Sequence, residues 1–496
     1  MSYSVALLSL GCKVNSYETE RIREDMVKAG FDIVDFSEKA DIYIINTCSV
    51  TNIADRKSRQ MLHRARTLNP EAVVVATGCY VQTEKDSEKL SEIADLIVGN
   101  NHKGDIVKIV TEYLNTKFEA ESFENKIDSG SDEIRNEILG NNLIEDIAKE
   151  KNIEELAISD YPERSRAFVR IEDGCNQFCS YCIIPYARGR VRSRDEDDII
   201  KEVKALSEKG FKEVVLTGIH ISSYGYENYE KVLKEKENQA NVTLNEGKVD
   251  FDGTPLLHLV KRISKVEGIE RIRLGSLEPR IITREFALEL KNITSFCPHF
   301  HLSLQSGCDT VLKRMNRHYT ADEFLEKCNI LREVFDRPAI TTDVIVGFPG
   351  ETEEEFNETC EMVRKAAFSK MHIFKYSRRK GTVADRMPGQ LTEKVKHERS
   401  LVLQEIDDEM KQGYTSYFLK ETVKVLVEEV KDGKLLGLTE RYVQAEGQII
   451  KDGPDLESDL NKDICIDNMV NRIVDIKVES SEAGILCGDI LNGNLL

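Results

Sequence analysis

The residues best placed to do chemistry form a run of thiols, Cys175-Asn176-Gln177-Phe178-Cys179-Ser180-Tyr181-Cys182, directly after the apolar stretch Ala167-Phe168-Val169-Arg170-Ile171. Three thiols this close seldom serve packing alone, and the CxxxCxxC spacing points to a metal centre. A structural zinc takes four protein ligands, and neither Cys nor His supplies an obvious local fourth. Three thiolates suit a four-iron, four-sulfur cluster with one iron left open to a substrate or cosubstrate. A zinc knuckle or plain reduced cysteines are the competing readings of the same run.

A second set of thiols is spread along the first hundred residues. Cys12, Cys48 and Cys79 each follow a short apolar run, in Leu10-Gly11-Cys12, Asn46-Thr47-Cys48 and Thr77-Gly78-Cys79. If those runs are parallel strands, their ends lie side by side, and three thiols distant in sequence converge on one rim. A second open-iron cluster can form there. The alternative is that buried cysteine acts as a small hydrophobe, the reading given to Cys297, Cys308, Cys328, Cys360, Cys465 and Cys487.

The elements that must position these thiols follow from hydrophobic patterning. Val5–Leu10, Ile42–Ile45, Val73–Ala76 and Leu96–Val98 are apolar runs of strand length, the first three each followed by a turn and a helical pattern. This predicts an open parallel α/β sheet over residues 1–114. Residues 115–160 carry five basic against thirteen acidic side chains and are expected to be an acidic linker. Residues 161–395 alternate strands and helices again, which suits a partial or full TIM-like β/α barrel with its chemistry on the loops after the strands. Within it, 226–252 is expected to be a solvated insertion. From 414 to 492 the period shifts to two, predicting a small β-barrel. The fold class is therefore α/β with a terminal β domain.

The formal net charge is −19, so bulk electrostatics do not favour coating nucleic acid or anionic membrane, and any polyanion must meet a local patch. One such patch is the arginine series around Arg188, Arg190, Arg192 and Arg194. Others are Arg56, Lys57, Arg59, Arg64 and Arg66, and Arg378-Arg379-Lys380. No run of eighteen uninterrupted apolar residues occurs, so no membrane-spanning helix is expected. Twelve cysteines without the marks of a small disulfide scaffold fit a reducing, cytoplasmic setting.

The two thiol sets in this order, with Gly11-Cys12-Lys13-Val14-Asn15 and Ile183-Ile184-Pro185-Tyr186-Ala187-Arg188-Gly189-Arg190-Val191-Arg192-Ser193-Arg194, give a chain that resembles the radical S-adenosylmethionine methylthiotransferases over nearly its whole length. Cys12-Lys13-Val14-Asn15 is similar to the branch acting on N6-threonylcarbamoyladenosine in tRNA, next to the anticodon. The resemblance implies an amino-terminal methylthiotransferase domain, a radical core and a terminal RNA-binding module of the TRAM type. It also implies two 4Fe-4S clusters, one on Cys12, Cys48 and Cys79 and one on Cys175, Cys179 and Cys182. One S-adenosyl-L-methionine then methylates a sulfur and a second is reductively cleaved. Tyr181, Gly218, Ser303, Gln305 and Asp343 are the residues implied to meet that cofactor, and Arg188, Arg190, Arg192 and Arg194 are those expected to meet RNA phosphates. No amino-acid side chain stands out as a general acid or base. Expected partners are the tRNA anticodon loop, a reductant protein such as flavodoxin or ferredoxin, and a sulfur donor. Other acceptors in the family are isopentenyladenosine in tRNA and a ribosomal-protein aspartate. A reading outside catalysis is an iron-sulfur carrier or a tRNA-binding scaffold.

Overall fold

A computed structural model describes residues 3–84, 87–123, 142–159, 161, 165–227, 254–448 and 469–491. Most of the expected insertion, Arg164 and the middle of the acidic stretch lie outside the described residues. The chain divides into two compact units. The first comprises Met1–Asp160, Glu172–Arg194 and Ser377–Asp385, and the second Tyr161–Ile171, Asp195–Tyr376 and Arg386–Leu496.

The first unit is built on six parallel strands, β1 (Ser4–Ser9), β2 (Asp32–Val34), β3 (Ile42–Thr47), β4 (Val73–Gly78), β5 (Leu96–Val98) and β6 (Asn142–Leu143), in the spatial order β2-β1-β3-β4-β5-β6. Every residue of β3 and β4 is buried, as expected when helices cover both faces of a sheet. Strand alternation divides the core. Tyr43, Ile45, Val74 and Ala76 pack with Leu62 and Ala65 of α2 (Asn52–Leu68), while Ile42, Ile44, Val73 and Val75 pack with Ile22 and Met26 of α1 (Lys13–Lys28) and with Ile106 and Val110 of a later helix (Ile106–Phe123).

The expected linker differs from a plain connector. Its residues 142–143 form β6 and pair with β5, and the following segment is tied down where the Tyr17 hydroxyl donates to the Leu156 carbonyl and the Ser159 amide donates to Glu24 at 3.0 Å. Among its described acidic residues, Glu145, Asp146 and Glu155 are exposed. The buried Ile147, Leu156 and Ile158 dock it.

The chain continues through β7 (Arg166–Arg170), the short β8 (Glu172–Asp173) and β9 (Arg192–Ser193), then β10 (Glu213–Thr217), β11 (Arg271–Leu274), β12 (Ser276–Leu277), β13 (His299–Leu302), β14 (Ala339–Val346) and β15 (Lys370–Lys375). In the second unit, β11-β10-β7 and β12-β13-β14-β15 are both parallel sheets. Only Gly275 separates β11 from β12, and a Cβ there would approach the Leu216 carbonyl oxygen to 3.0 Å. This arrangement is the partial form of a β/α barrel. β16 (Thr422–Lys431), β17 (Lys434–Thr439), β18 (Gln444–Gln448), β19 (Ile473–Glu482) and β20 (Ile485–Ile490) then close into the small barrel that the alternation predicts. Val425, Val427, Leu435, Val474, Ile476 and Leu486 fill it.

An ion network anchors this barrel to the core strands. Arg271 donates to the Leu438 and Lys424 carbonyls at 3.0 and 2.9 Å, and Arg273 donates to the Glu440 carbonyl at 2.9 Å and to Glu213 at 3.0 Å. Burial alone would push the Glu213 carboxyl up, but Arg273, Arg271 and Arg166 outweigh it and hold it below the usual carboxylate range.

Candidate metal centres

All six thiols belong to the first unit. Cys12 lies three residues past β1 and caps α1, Cys48 directly follows β3, and Cys79 directly follows β4. Because β1, β3 and β4 are adjacent and parallel, with Ser9 opposite Asn46 and Thr47 opposite Gly78, these ends share one rim. The sulfurs are close enough to act on one another electrostatically, Cys12 with Cys79, and Cys48 with both. Two glycines make the approach possible. Gly11, at φ +103°, would place a Cβ 2.5 Å from the Cys48 sulfur, and Gly78, at φ +101°, would place one 2.4 Å from the Thr47 carbonyl oxygen. Burial raises the Cys12 thiol above its ordinary value and pushes Cys48 up to about 11. Metal ligation there has to displace the thiol protons.

Polar side chains brace this rim. Asn15 donates to the Leu10 and Thr47 carbonyls at 2.7 and 2.9 Å, tying the β1 and β3 ends together, and its Oδ1 stands 3.9 Å from the Cys12 sulfur. Asn100 donates to the Ala187 carbonyl at 2.7 Å and reaches the Cys79 sulfur at 3.9 Å. Arg188, at the end of the helix Ile184–Arg188, has 0% exposure. Its Nε donates to the Cys79 sulfur at 3.4 Å, Nη1 to Glu18 at 2.6 Å and Asp173 at 3.2 Å, and Nη2 to Asn15 at 2.6 Å. Lys103 is the second buried cation on Glu18.

This overturns most of the expected phosphate contacts. Arg188 is consumed internally. Arg192 is buried against Asp173 and donates to the Arg188 carbonyl at 2.8 Å, and Arg194 is buried against Glu155 at 3.0 Å and the Tyr17 hydroxyl at 3.1 Å. A desolvated guanidinium holding a carboxylate has no face for a phosphate. Of the four, Arg190 alone is exposed, lying 4.4 Å above the Phe178 ring. Arg379 is likewise buried, bound to Asp55 and Ser49 at 2.7 Å each.

The CxxxCxxC run is a loop stapled at its base. β8 pairs antiparallel with β9, the Cys175 amide donates to the Gly189 carbonyl at 3.1 Å, and the Cys182 amide donates to the Cys179 carbonyl at 2.9 Å. Gly174, at φ +85°, lets the backbone pass where a Cβ would lie 2.0 Å from the Arg190 carbonyl oxygen. The three thiols are half-buried, and burial pushes Cys175 upward while the Gln177 amide, 3.5 Å from its sulfur, opposes this. Tyr181 is half-buried in the same loop.

Among the described residues no three His, Cys, Asp or Glu side chains are grouped to hold a single metal ion. One zinc would demand sulfurs gathered on bonds of about 2.3 Å. The donor sets, all sulfur and none in a disulfide, suit the thiolate ligation of iron-sulfur clusters.

In the second unit, Gly218 directly follows β10 and Ser303 directly follows β13, both at carboxyl ends. Gln305, at φ +71°, is held against β14, its amide donating to the Asp343 carbonyl and its carbonyl accepting from Ile345, both at 2.8 Å. Asp343 sits within β14, three residues short of its end, with His301 Nε2 at 3.2 Å. Sequence reasoning missed His301 and its neighbour His372. It also missed His220, whose burial, with Arg317 and Arg280 nearby, lowers it to about 4. Glu18 and Thr19 were missed too, although with Asn15 they carried a signal: three polar residues at i, i+3 and i+4 on a face of α1 that is buried.

A partial β/α barrel, a parallel-sheet domain and two three-thiol sets suit an iron-sulfur enzyme of the radical type. Residues 169–363 match the model of the radical SAM superfamily, and residues 4–99 that of the uncharacterized protein family UPF0004. The chain is 37% identical over 450 residues to the threonylcarbamoyladenosine tRNA methylthiotransferase MtaB of Bacillus subtilis, covering 89% of each protein. It is also 37% identical to MtaB of Aquifex aeolicus, covering 90% of this chain and 97% of that protein. The tRNA-2-methylthio-N(6)-dimethylallyladenosine synthase of Clostridium tetani matches at 35% over 84% of each. The chain belongs to the radical SAM methylthiotransferase family, enzymes that use S-adenosyl-L-methionine and 4Fe-4S clusters.

Proposed function

We propose that this enzyme adds a methylthio group to N6-threonylcarbamoyladenosine next to the anticodon of tRNA. The observation that carries the reading is the meeting of Cys12, Cys48 and Cys79 on one rim, in the same compact unit as the CxxxCxxC loop. The names borne by the 37% identical relatives support the choice of substrate.

Cys175, Cys179 and Cys182 would hold one cluster and Cys12, Cys48 and Cys79 the other. When bound, these clusters and S-adenosyl-L-methionine supply the one-electron chemistry that replaces a hydrogen on an unactivated adenine carbon, which a carboxylate or histidine of ordinary pKa does not remove. In the second unit, Gly218 offers the cofactor a backbone and Ser303, Gln305 and Asp343 offer it polar side chains; the ring that the family resemblance implies for cofactor contact, Tyr181, belongs to the first unit. Arg190, stacked on Phe178 beside the exposed Tyr186, offers a cation and aromatic faces to an unstacked base and its phosphate. Arg56, Lys57, Arg59 and Arg64, exposed on α2, offer further cations to phosphates. The reaction calls for a flavodoxin- or ferredoxin-type reductant and a sulfur donor, and we place it in the cytoplasm. No helix among the described residues is long and apolar enough to cross a membrane.

Nucleoside analysis of bulk tRNA from a deletion strain tests the reading. Loss of 2-methylthio-N6-threonylcarbamoyladenosine supports it. Loss of the isopentenyladenosine derivative would overturn the substrate, and an unchanged profile would overturn tRNA as the acceptor.

A further inference from the structure

We infer that Arg188 is a positioning residue for the strand-end thiols: its Nε–H bond to the Cys79 sulfur sets the reduction potential of the cluster held there. The inference rests on the proposal that Cys12, Cys48 and Cys79 carry a 4Fe-4S cluster.

The guanidinium has little freedom. Nη1 is held by Glu18 at 2.6 Å and Asp173 at 3.2 Å, and Nη2 by Asn15 at 2.6 Å and Glu18 at 3.0 Å, so the plane is fixed with Nε aimed at Cys79, 3.4 Å away. Arg188 and Lys103 together balance the carboxylates of Glu18 and Asp173. The Nε–H is thus the part of this buried cation directed at sulfur. A hydrogen bond and a positive charge at a ligating thiolate favour the more negative, reduced cluster, and so raise its potential. The bond acts in a site shielded from solvent, where such effects are strong.

The same side chain touches residues flanking both thiol sets. Asn15 follows Cys12 by three positions and braces the β1 and β3 ends, while Asp173 precedes Cys175 by two and lies in the β8–β9 staple. The direct bond to sulfur, however, goes to Cys79. At Cys175 the corresponding donor is the backbone amide of Gln177. Arg188 is therefore expected to raise one potential and not the other.

Two full-length backgrounds test this after anaerobic reconstitution with iron and sulfide. One carries Cys175, Cys179 and Cys182 all changed to Ala, and the other Cys12, Cys48 and Cys79 all changed to Ala. Each is titrated with a chemical reductant and followed by electron paramagnetic resonance, with Arg188 and with Arg188→Lys. Lysine keeps the charge facing Glu18 but lacks the Nε–H. The expected result is a lower midpoint potential for the strand-end cluster at unchanged iron content, and no shift for the loop cluster. Equal shifts in both backgrounds, or none in the first, overturn the proposal. Arg188→Gln provides a second reading should the lysine variant not take up iron. It removes both the cation and the Nε–H from the Cys79 sulfur, so the strand-end potential should fall, and a rise or no change overturns the proposal. If the first background takes up no iron even with Arg188 intact, the second cluster itself is refuted, a result distinct from an unmoved potential.

Discussion

The two thiol sets are built in opposite ways. Cys175, Cys179 and Cys182 lie within eight residues on a loop closed by β8 and β9. Cys12, Cys48 and Cys79 are brought together only by the order and register of β1, β3 and β4. A loop of this kind can present its thiols once its base is stapled, whereas the strand-end set exists only when a whole sheet has formed. The first should tolerate damage to the sheet core, and the second should not.

The largest test of this contrast removes one thiol from each set. Cys175→Ala is expected to abolish both 5′-deoxyadenosine release and tRNA modification, measured by chromatography of the reaction products. Cys12→Ala is expected to abolish modification while leaving S-adenosyl-L-methionine cleavage detectable. Full modification by the Cys12 variant would remove the strand-end set from the chemistry.

Glycine substitutions sharpen the comparison without removing any thiol. Gly78→Ala forces a side chain onto the Thr47 carbonyl at φ +101°, and Gly174→Ala forces one onto the Arg190 carbonyl at φ +85°. Each adds backbone strain of about 1–3 kcal/mol before the clash is counted. Iron analysis of reconstituted protein should fall from about eight to about four per chain in either case. Electron paramagnetic resonance should then assign the missing cluster to the strand-end set for Gly78→Ala and to the loop set for Gly174→Ala.

The smallest expected effect separates two arginines only two positions apart. Arg190→Ala should weaken tRNA binding about tenfold, the equivalent of about 1.4 kcal/mol, and reduce its salt dependence, leaving thermal stability unchanged. Arg192→Ala should instead lower thermal stability, because it strips a buried partner from Asp173.

That pair also shows where the sequence stopped being legible. The arginine series reads as a basic patch because its counter-ions are remote: Glu18 is 170 positions from Arg188, and Glu155 is 39 from Arg194. Charge counted along the chain cannot find partners supplied by folding. Asp343 shows a milder version, since the strand it occupies was visible but its depth within β14 and its bond to His301 were not. The β6 strand escaped notice because two residues carry no period, and pairing with β5 is what makes them a strand.

What the sequence determined by itself was local or periodic. Thiol spacing, apolar strand runs and the change of period near 420 all follow from side-chain alternation and short-range geometry, and they suffice for the α/β class, the terminal barrel and the placing of Cys12, Cys48 and Cys79 at neighbouring strand ends. The tertiary structure alone decided which charges are spent in the interior. Burying a guanidinium is costly unless carboxylates meet it there, and only the folded sheet brings Glu18, Asp173, Asn15 and Cys79 around Arg188.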